Sequence, residues 1–474
     1  MQEFLHTNND DVQEDLERYK KMVSAEKELY FDVHQIENIF DFYLEKDMLE
    51  EADRILEIGL RQHPNATSLL LKKASTLSDK GKLKKAQEIL EKLTKLEYSN
   101  PDIFLTLGWN YLKQQNIKKA VDNFEMAAST AFEEEEDILF EIGFNLSQEG
   151  FFKEALPFLE KANSKFPANE NVLFELAFIY DKRGNLDKSI ECYNKFLDIN
   201  SFSENAWYNL GILYSKKEKF TKAVQAYEFT IAINPDHPEA HFNLGNSFAH
   251  SGLFAKALDE YLDHASLSND TTLTYQYIAD CWEQLGSYDL AIRFYALVTK
   301  KQKNNPDAWY GMGTALMGKN EFANALQALD HAISIEPLIP DYWFAHARCL
   351  FELGKKEDAV KSLENGLNID PEETAAWIEL FKLKLITEDF FSPVDYVDWL
   401  MQNFKANASV LYLASVVYLK YKEDEGNALK LLTQALKLNP EGAFLISSEF
   451  PFLNDHSSIR SELEKVIKPD ELPF

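Results

Sequence analysis

Histidine and cysteine are the side chains of this sequence that most readily bind a metal ion or act as a nucleophile. His237 and His241 are four residues apart, a spacing that places two imidazoles on one face of a helix. Pro238 follows His237 directly, which predicts that His237 lies in the loop before the helix begins. His241 falls at a position that is aromatic in neighbouring segments, so its expected role is packing. We predict no metal site at this pair.

The remaining residues that could carry chemistry form no catalytic pattern. Cys192, Cys281 and Cys349 lie far apart without a CxxC spacing, so no disulfide framework is expected and a reducing compartment fits. Cys281 and Cys349 fall at equivalent places of two repeated helices, which favours packing. The sequence contains no GxSxG, HExxH, GxGxxG or GxxxxGK[ST] motif. We therefore predict that the protein is not an enzyme and has no cofactor.

The net charge and the hydropathy exclude two further classes of function. The formal net charge is −29 over 474 residues, whereas a protein that binds a nucleic-acid backbone needs a surplus of Lys and Arg. This charge is compatible with a basic partner and also with simple solubility of a large surface. The N-terminus lacks the pattern of a signal peptide, and no apolar run approaches the ~20 residues that span a bilayer. We expect a cytoplasmic protein without nucleic-acid binding or membrane insertion.

A segment of 34 residues, 204–237, recurs along most of the chain. One face of its first predicted helix carries residues at spacings of three and four, which are Trp207, Leu210, Gly211 and Tyr214. A second predicted helix carries Ala223, Tyr227 and Thr230 on one face and ends before Pro235. Because neither helix can bury its apolar face alone, the segment predicts a stack of helix pairs.

Small residues recur in phase with Ala223. The ten positions are Ala52, Ala86, Ala120, Ala155, Ser189, Ala223, Ala257, Ala291, Ala325 and Ala359, and every step is 34 residues except one of 35. A small side chain is required where two helices cross closely. Glycines in the first helix predict the same close approach, at Gly108, Gly143, Gly211, Gly245 and Gly313. Glycines between the helices predict left-handed residues, at Gly81, Gly150, Gly184, Gly252, Gly286 and Gly354.

This order of residues resembles the tetratricopeptide repeat, in which W-x2-L-G-x2-Y is followed by alanine, an aromatic residue and proline. The resemblance, to a long array of bacterial type, implies an all-α fold: a right-handed α-solenoid superhelix of about 11–12 repeats with helical caps and a concave face built from the first helices. We divide the chain into a capping helix at 1–32, ten regular repeats at 33–373, a degenerate helix pair at 374–406, a last repeat at 407–440 and a second capping helix at 441–474.

Several segments depart from the regular pattern. The N-terminal segment 11–30 is predicted to be a helix whose apolar side carries Val12, Leu16, Tyr19 and Val23. The single extra residue is assigned to an acidic loop at 132–137, interpreted as a solvated loop or, alternatively, as a patch for a basic partner. Pro393 falls in the alanine slot, so a bend is expected near 387–392, with Ser392 as a helix N-cap. The turn 421–426 is predicted to be lengthened.

The positions one residue along from the predicted core face are those that the repeat leaves free to bind a partner. Over five first helices these side chains are mostly large and apolar: Leu105, Trp109, Phe140, Phe144, Phe174, Phe178, Tyr208, Ile212, Phe242 and Asn246. The following repeat is polar there, with Gln276, Asp280 and Glu283. The resemblance adds Asn209 and Asn243, which match the asparagine with which tetratricopeptide grooves often hold a peptide backbone. Packing against adjacent first helices is the alternative role for the apolar side chains.

The resemblance also disfavours one family function. Chaperone-binding repeats use a clamp of Lys, Asn and Arg for a terminal carboxylate. Tyr208 and Ile212, or Phe242 and Asn246, stand where its first Lys–Asn pair would be, and no three consecutive repeats restore the basic residues. The sequence favours a non-catalytic scaffold that binds a protein or peptide on its concave face. The alternative is an assembly scaffold that self-associates through its ends or convex surface; the oligomeric state is not predicted.

Overall fold

The protein is all-α in the part of the chain that its computed structural model describes. That part comprises residues 2–25, 29–132, 134–387, 392–404 and 407–466, and within these ranges there are helices and turns but no strand. The chain divides into two compact units, residues 1–219 and residues 220–474. In each unit, consecutive helices pack side by side as antiparallel neighbours, as expected for the stack of helix pairs.

The first unit begins with a single helix, α1 (Gln2–Ala25). Five pairs follow: α2 (Val33–Glu45) and α3 (Leu49–Gln62), α4 (Thr67–Asp79) and α5 (Leu83–Leu96), α6 (Pro101–Lys113) and α7 (Ile117–Thr130), α8 (Glu135–Gln148) and α9 (Phe152–Lys165), α10 (Glu170–Lys182) and α11 (Leu186–Ile199). The unit ends with α12 (Glu204–Lys216).

The second unit begins with α13 (Phe220–Ile233). Its pairs are α14 (Pro238–His250) and α15 (Phe254–Leu267), α16 (Thr272–Gln284) and α17 (Tyr288–Lys301), α18 (Pro306–Gly318) and α19 (Phe322–Ile335), α20 (Pro340–Glu352) and α21 (Lys356–Ile369), α22 (Thr374–Thr387) and α23 (Pro393–Asn403), α24 (Ala408–Tyr421) and α25 (Glu425–Leu438). The last helices are α26 (Gly442–Glu449), a 3-10 helix (Pro451–Asp455) and α27 (Ser457–Leu463). Within the described ranges, none of these helices has both the length and the apolar character needed to span a membrane.

The turn inside a pair depends on one residue with a positive φ angle. Glycine holds this place at all six predicted positions, from Gly81 to Gly354, with φ between 72° and 81°. In other pairs a non-glycine residue adopts the conformation, and these residues are Asp47, Gln115, Glu218, Asn320 and Glu423. The prediction of left-handed glycines is therefore confirmed.

Local capping sets where the helices begin and end. Asn100, Asn169 and Asn305 precede α6, α10 and α18, and each side chain accepts a hydrogen bond from a backbone N–H of the first turn. Second helices end two residues before a proline in six cases, at Pro64, Pro167, Pro235, Pro337, Pro371 and Pro440. The predicted proline stops are confirmed.

The two helices of a pair come closest at the ten positions in phase with Ala223, which we call the small slot. Its nine alanines and Ser189 are all buried, and the hydroxyl of Ser189 donates to the carbonyl oxygen of Ala177 at 2.7 Å. The first-helix glycines face the partner helix at contact distance: a Cβ on Gly108 would lie 2.4 Å from the ring of Phe124, and one on Gly143 would lie 2.4 Å from Leu159. The predicted close crossing is confirmed.

The buried face of the first helix differs from the predicted one. In α12 the buried residues are Ala206, Leu210, Gly211 and Leu213, whereas Trp207 and Tyr214 are only half-buried. The indole N–H of Trp207 donates to the carbonyl oxygen of Ser201, six residues earlier, at 2.9 Å. An indole is too large for the crossing and needs a polar partner for its N–H, so it covers the edge of the core instead.

The same bond recurs in the second unit. The indole N–H groups of Trp309, Trp343 and Trp377 each donate to the backbone carbonyl six residues earlier, at 2.8–2.9 Å. That carbonyl belongs to the loop that enters the first helix. The tryptophan therefore fixes the loop to the helix, a role that its place in the repeat pattern did not reveal.

The N-terminal helix is longer than predicted and presents a slightly different side. It begins at Gln2 rather than at residue 11. Leu16, Tyr19 and Met22 are buried, while Val23, which was predicted to face the core, is exposed. The ring of Tyr19 lies 5.9 Å from the ring of Tyr43 in α2, so α1 covers the first helix pair as expected of a cap.

The acidic segment before α8 is not the free loop that the sequence predicted. Glu135, Glu136 and Asp137 lie in the first turn of α8, which has 14 residues rather than 13 and so contains the extra residue. Glu135 pairs with Lys165 at 2.6 Å, and Glu136 accepts a hydrogen bond from Asn169 at 2.6 Å. Two of the acids are thus bound within the chain.

The C-terminal part confirms one prediction and corrects another. Ser392 caps α23 by accepting a hydrogen bond from the backbone N–H of Asp395, but the bend predicted there falls on residues 388–391, which lie outside the described residues. The turn between α24 and α25 has the usual three residues, 422–424, because the extra residue is in α24, which has 14. Ile446, Leu453 and Leu463 are buried against the last pair and form its cap.

The Gly108 contact provides a test of the close crossing. Gly108→Ala should lower the free energy of unfolding by about 1–3 kcal/mol, because the added methyl group would collide with the Phe124 ring. Gly426→Ala is the control, since a Cβ there meets only a side-chain atom at 3.7 Å in the first turn of α25. Urea unfolding of both variants should show destabilisation for Gly108→Ala alone; equal effects would contradict the steric account.

Candidate functional site

Three first helices of the first unit enclose a cavity on the side to which the sequence assigned the candidate binding residues. The cavity has a volume of about 620 Å³ and lies between α4, α6 and α8. Its wall includes Ser78 of α4, Trp109 of α6 and Asn145 of α8. An ion pair between Lys113 and Asp79, with a distance of 2.6 Å, also lines it. We call the predicted residues of α6, α8, α10 and α12 the first-helix face.

Trp109 is the predicted residue that lines this cavity. Its ring lies 4.4 Å from the ring of Phe124 in α7, so the second helix of the pair holds the indole in place. The indole N–H makes no hydrogen bond within the described residues, unlike those of Trp207 and Trp309. Trp109 therefore combines a supported apolar ring with an available donor, as is common for aromatic residues at binding sites.

Ser78 is a cavity residue that the sequence analysis missed. It is 5% exposed, and its hydroxyl oxygen has no hydrogen-bond partner in the described part of the chain. A buried hydroxyl without a partner costs about 1–3 kcal/mol, which a ligand group could recover only where the wall moves to expose the hydroxyl oxygen. Serine is common on helix surfaces and carried no pattern that could have identified it.

Phe140 and Phe144 form an aromatic pair on α8. Their rings stack at 5.6 Å with an interplanar angle of 28°. Phe140 is half-buried, and Phe144 is 37% exposed, which is high for a phenylalanine. Because the two rings support each other, the pair presents a fixed apolar surface rather than two mobile side chains.

Phe178 lies on the corresponding side of α10. Its ring meets the ring of Phe152 in α9 edge-on at 6.1 Å, and the ammonium group of Lys182 lies 5.2 Å from its centre. Phe178 is half-buried. The face of an aromatic ring attracts a cation, so Lys182 stabilises the ring where it reaches the surface.

Other predicted residues serve the interior of the stack. Leu105 is buried. Phe174 packs against Tyr193 and Phe196 of α11, with ring separations of 5.4 and 5.5 Å. The side chain of Asn209 donates to the hydroxyl of Tyr193 at 3.1 Å, which ties α12 to the preceding second helix. Each of these three side chains thus makes its observed contacts within the stack.

Tyr208 and Ile212 complete the first-helix face on α12, where both are half-buried. The remaining three predicted residues belong to the second unit. Phe242 contacts Tyr261 and Tyr277, with ring centres 5.7 and 5.3 Å away, and Asn246 accepts a hydrogen bond from the hydroxyl of Tyr261 at 2.7 Å. Asn243 is half-buried. Phe242 and Asn246 thus take part in packing within α14, α15 and α16.

Comparison with protein families agrees with this architecture. Three family models described as tetratricopeptide repeat match four segments, at residues 208–270 and 310–373, at 146–210 and at 67–100. Each of the four segments contains one or two of the ten buried small residues in phase with Ala223. The chain is a tetratricopeptide-repeat protein. A comparison with curated protein sequences finds no match.

Solved structures of other tetratricopeptide proteins resemble parts of the chain. A crystal structure of a MamA protein is 26% identical, covers 36% of this chain and 93% of its own, and has a TM-score of 0.35. YrrB, described as a TPR protein with an unusual peptide-binding site, is 15% identical over 42% of this chain and 100% of its own, with a TM-score of 0.35. A tetratricopeptide protein from Parabacteroides merdae is 18% identical over 53% and 98%, with a TM-score of 0.39.

In the second unit of this tetratricopeptide protein, the polar positions noted in the sequence form a hydrogen-bonded group. The hydroxyl of Tyr295 in α17 lies 2.5 Å from Asp280 and 3.0 Å from Glu283, both on α16. One phenolic hydrogen can serve only one of the two carboxyl groups at a time. Burial raises the pKa of Asp280 to about 6, and burial also raises the pKa of Glu283.

The raised pKa of Asp280 predicts a pH dependence of stability. In the unfolded chain this carboxyl group titrates near its model value of 3.8, so the folded state loses stability as the pH rises from about 4 through about 6. Asp280→Asn should therefore increase the free energy of unfolding relative to wild type at pH 7.5, by up to about 3 kcal/mol, and this advantage should fall to about 1 kcal/mol at pH 4.5.

Urea unfolding at the two pH values measures this difference. Asp289→Asn is the matched control, because Asp289 is an exposed partner of Lys319 whose pKa the hydrogen bond from Lys319 lowers. That variant should bring no gain at pH 7.5. An Asp280→Asn advantage of the same size at both pH values would contradict the proposed titration.

Proposed function

We propose that the chain is a non-catalytic scaffold that binds a segment of another protein, or a peptide, on the first-helix face of its first unit. Stacked tetratricopeptide pairs build extended surfaces of this kind, which bind partners through the side chains of the first helices. The observation that carries the proposal is the cavity between α4, α6 and α8, where Trp109 and the unpartnered hydroxyl of Ser78 lie in one wall.

The cavity suits a peptide in size and in chemistry. Its volume of about 620 Å³ falls within the range of about 300–1,000 Å³ that is usual for ligand sites. An apolar side chain of the partner would pack on the indole of Trp109, while Thr106 and Asn145 supply neutral hydrogen-bonding groups for its backbone. Because Lys113 and Asp79 are already paired, the wall does not require a partner of one charge.

The first-helix face extends from the cavity, and its apolar residues differ in how far they are exposed. In this proposal Trp109, Phe140, Phe144 and Phe178 contact the partner, and Tyr208 and Ile212 extend the face along α12. Leu105 is buried, and Phe174 and Asn209 contact α11, so these three serve the scaffold beneath the face. Aromatic residues that are fixed by neighbouring rings lose little conformational entropy on binding, which makes them effective anchors.

The partner that we propose is a protein or peptide, not a nucleic acid or a membrane. The chain carries 78 acidic residues against 49 basic ones, so a phosphate backbone would be repelled over most of its surface. Phe242, Asn243 and Asn246 of the second unit remain proposed contacts of the same kind. Their packing roles make them weaker candidates than Trp109, whose indole N–H is available.

The experiment selects peptides from a random display library against the purified chain and measures their affinity by fluorescence polarisation. Trp109→Ala together with Phe178→Ala should weaken binding at least tenfold, while helix content and melting temperature stay nearly unchanged, because both rings are partly exposed. Phe174→Ala is the matched control: it removes a ring packed on α11 and should lower the melting temperature. Loss of binding and stability together in the double variant would contradict the proposed groove.

One observation favours the second candidate, an assembly scaffold that self-associates. Three loops between pairs of the first unit expose large aromatic side chains, at Tyr98, Phe132 and Phe202, with 77%, 89% and 82% of each exposed. Exposed aromatic rings at repeated places can form contacts between copies of a chain.

Light scattering across a concentration series tests self-association. If the chain is an assembly scaffold, its apparent mass should grow with concentration, and Phe132→Ser with Phe202→Ser should abolish that growth. A constant apparent mass that corresponds to one chain would exclude self-association and leave partner binding as the function.

A further inference from the structure

One helix pair of the second unit carries three polar side chains that meet in space. His241 on α14 takes the place that Tyr275 holds on α16, 34 residues later. In that later pair the ring of Tyr275 packs on Phe294 of α17, at 5.7 Å. The residue of α15 that corresponds to Phe294 is Glu260, and Asp263 stands one turn further along, where α17 has leucine.

The orientation of the His241 ring is fixed by its two nitrogen atoms. Its Nε2 lies 3.0 Å from the carbonyl oxygen of Pro235, the same bond to the entering loop that tryptophan makes in other repeats. Since a carbonyl oxygen only accepts, Nε2 carries the hydrogen and donates it. The other nitrogen, Nδ1, faces the Oε2 atom of Glu260 at 2.7 Å. His241 is 7% exposed, so the ring is held within the pair.

The carboxylate of Asp263 completes a group of three potential ligand atoms. One atom from each of His241, Glu260 and Asp263 lies within 4.8 Å of the others. Glu260 is half-buried and Asp263 is exposed, so the group opens towards solvent. Asp263 makes no side-chain hydrogen bond or ion pair in the described part of the chain, which leaves its carboxylate available.

The negative charge of this group favours the binding of a cation. Asp259, Glu260 and Asp263 follow one another along one side of α15, and the single imidazole of His241 is the only nitrogen ligand that faces them within the group. An ion pair between His241 and Glu260 would neutralise one carboxylate at most. A divalent ion would neutralise two and would bind all three side chains.

We propose that His241, Glu260 and Asp263 form a binding site for a divalent transition-metal ion, of which Zn²⁺ is the best fit. One imidazole nitrogen, two carboxylate oxygens and a water molecule make up a four-coordinate zinc site. Imidazole ligands favour Zn²⁺ over Mg²⁺, which prefers six oxygen ligands. The bond from Nε2 to the Pro235 carbonyl is the outer contact that orients a metal-binding histidine.

A metal ion at this site would cross-link α14 to α15. The next two pairs join their two helices at this place through a larger ring, with Tyr275 packed on Phe294 and Trp309 packed on His331. The ion would restore that connection through coordination. This inference does not rest on the first-helix face, which lies in the first unit.

The experiment measures zinc binding by the full-length chain after treatment with EDTA and dialysis, without an affinity tag. Isothermal titration with Zn²⁺ should show one site per chain, and Zn²⁺ should raise the melting temperature whereas Mg²⁺ should not. Asp263→Asn, at an exposed position that does not disturb folding, should weaken the affinity for Zn²⁺ at least tenfold.

His241→Trp is the sharpest control, because it restores the residue that other repeats use and keeps the bond to the Pro235 carbonyl while removing the metal ligand. It should fold, and Zn²⁺ should no longer raise its melting temperature. The site is overturned if Zn²⁺ has no effect on the wild-type chain, or if it stabilises both His241→Trp and Asp263→Asn as strongly as wild type. That last result would assign the binding to other surface side chains.

Discussion

Everything in this structure depends on how closely the two helices of each pair can approach. Ala120 and its nine counterparts are buried at the crossing, and beside it Gly108 leaves just enough room for the ring of Phe124. A larger side chain at either place would separate the helices and tilt the next pair. Because the same crossing recurs every 34 residues, small errors of geometry would accumulate along the stack. The strict size limit at this slot is therefore what makes a long array possible.

The fold could be predicted almost entirely from the sequence, because every repeat requires a small residue at the same position and so marks its own helix pair. Ala223 alone says little, but ten small residues in phase locate every regular pair. Single departures were harder to place. The extra residues in α8 and α24 were assigned to loops, although both helices absorb them. A helix can gain one residue at its end at little cost when capping and packing permit, and no local pattern distinguishes this from a longer turn.

The candidate site was less predictable, since the use of a first-helix side chain depends on its neighbours from the second helix. Phe174 and Trp109 both fall on the predicted stripe, yet Phe174 is enclosed by two rings of α11 whereas Trp109 rests on one ring and lines a cavity. Spacing along one helix does not contain that information. Ser78 shows the same limit of sequence-based prediction, because a serine hydroxyl is distinctive only when burial removes it from water and no partner replaces the water.

The tryptophan bonds to the entering loops have a mechanical consequence. In the second unit, α14, α18, α20 and α22 each have an aromatic nitrogen bonded to the loop before them. The first helices α4, α6, α8 and α10 have Leu70, Phe104, Leu139 and Leu173 at that position, and none of these side chains can donate such a bond. Each bond contributes about 1 kcal/mol against a change of loop angle. A change in the angle of the loop before α14, α18, α20 or α22 must break such a bond, whereas the loops before α4, α6, α8 and α10 are not held by one.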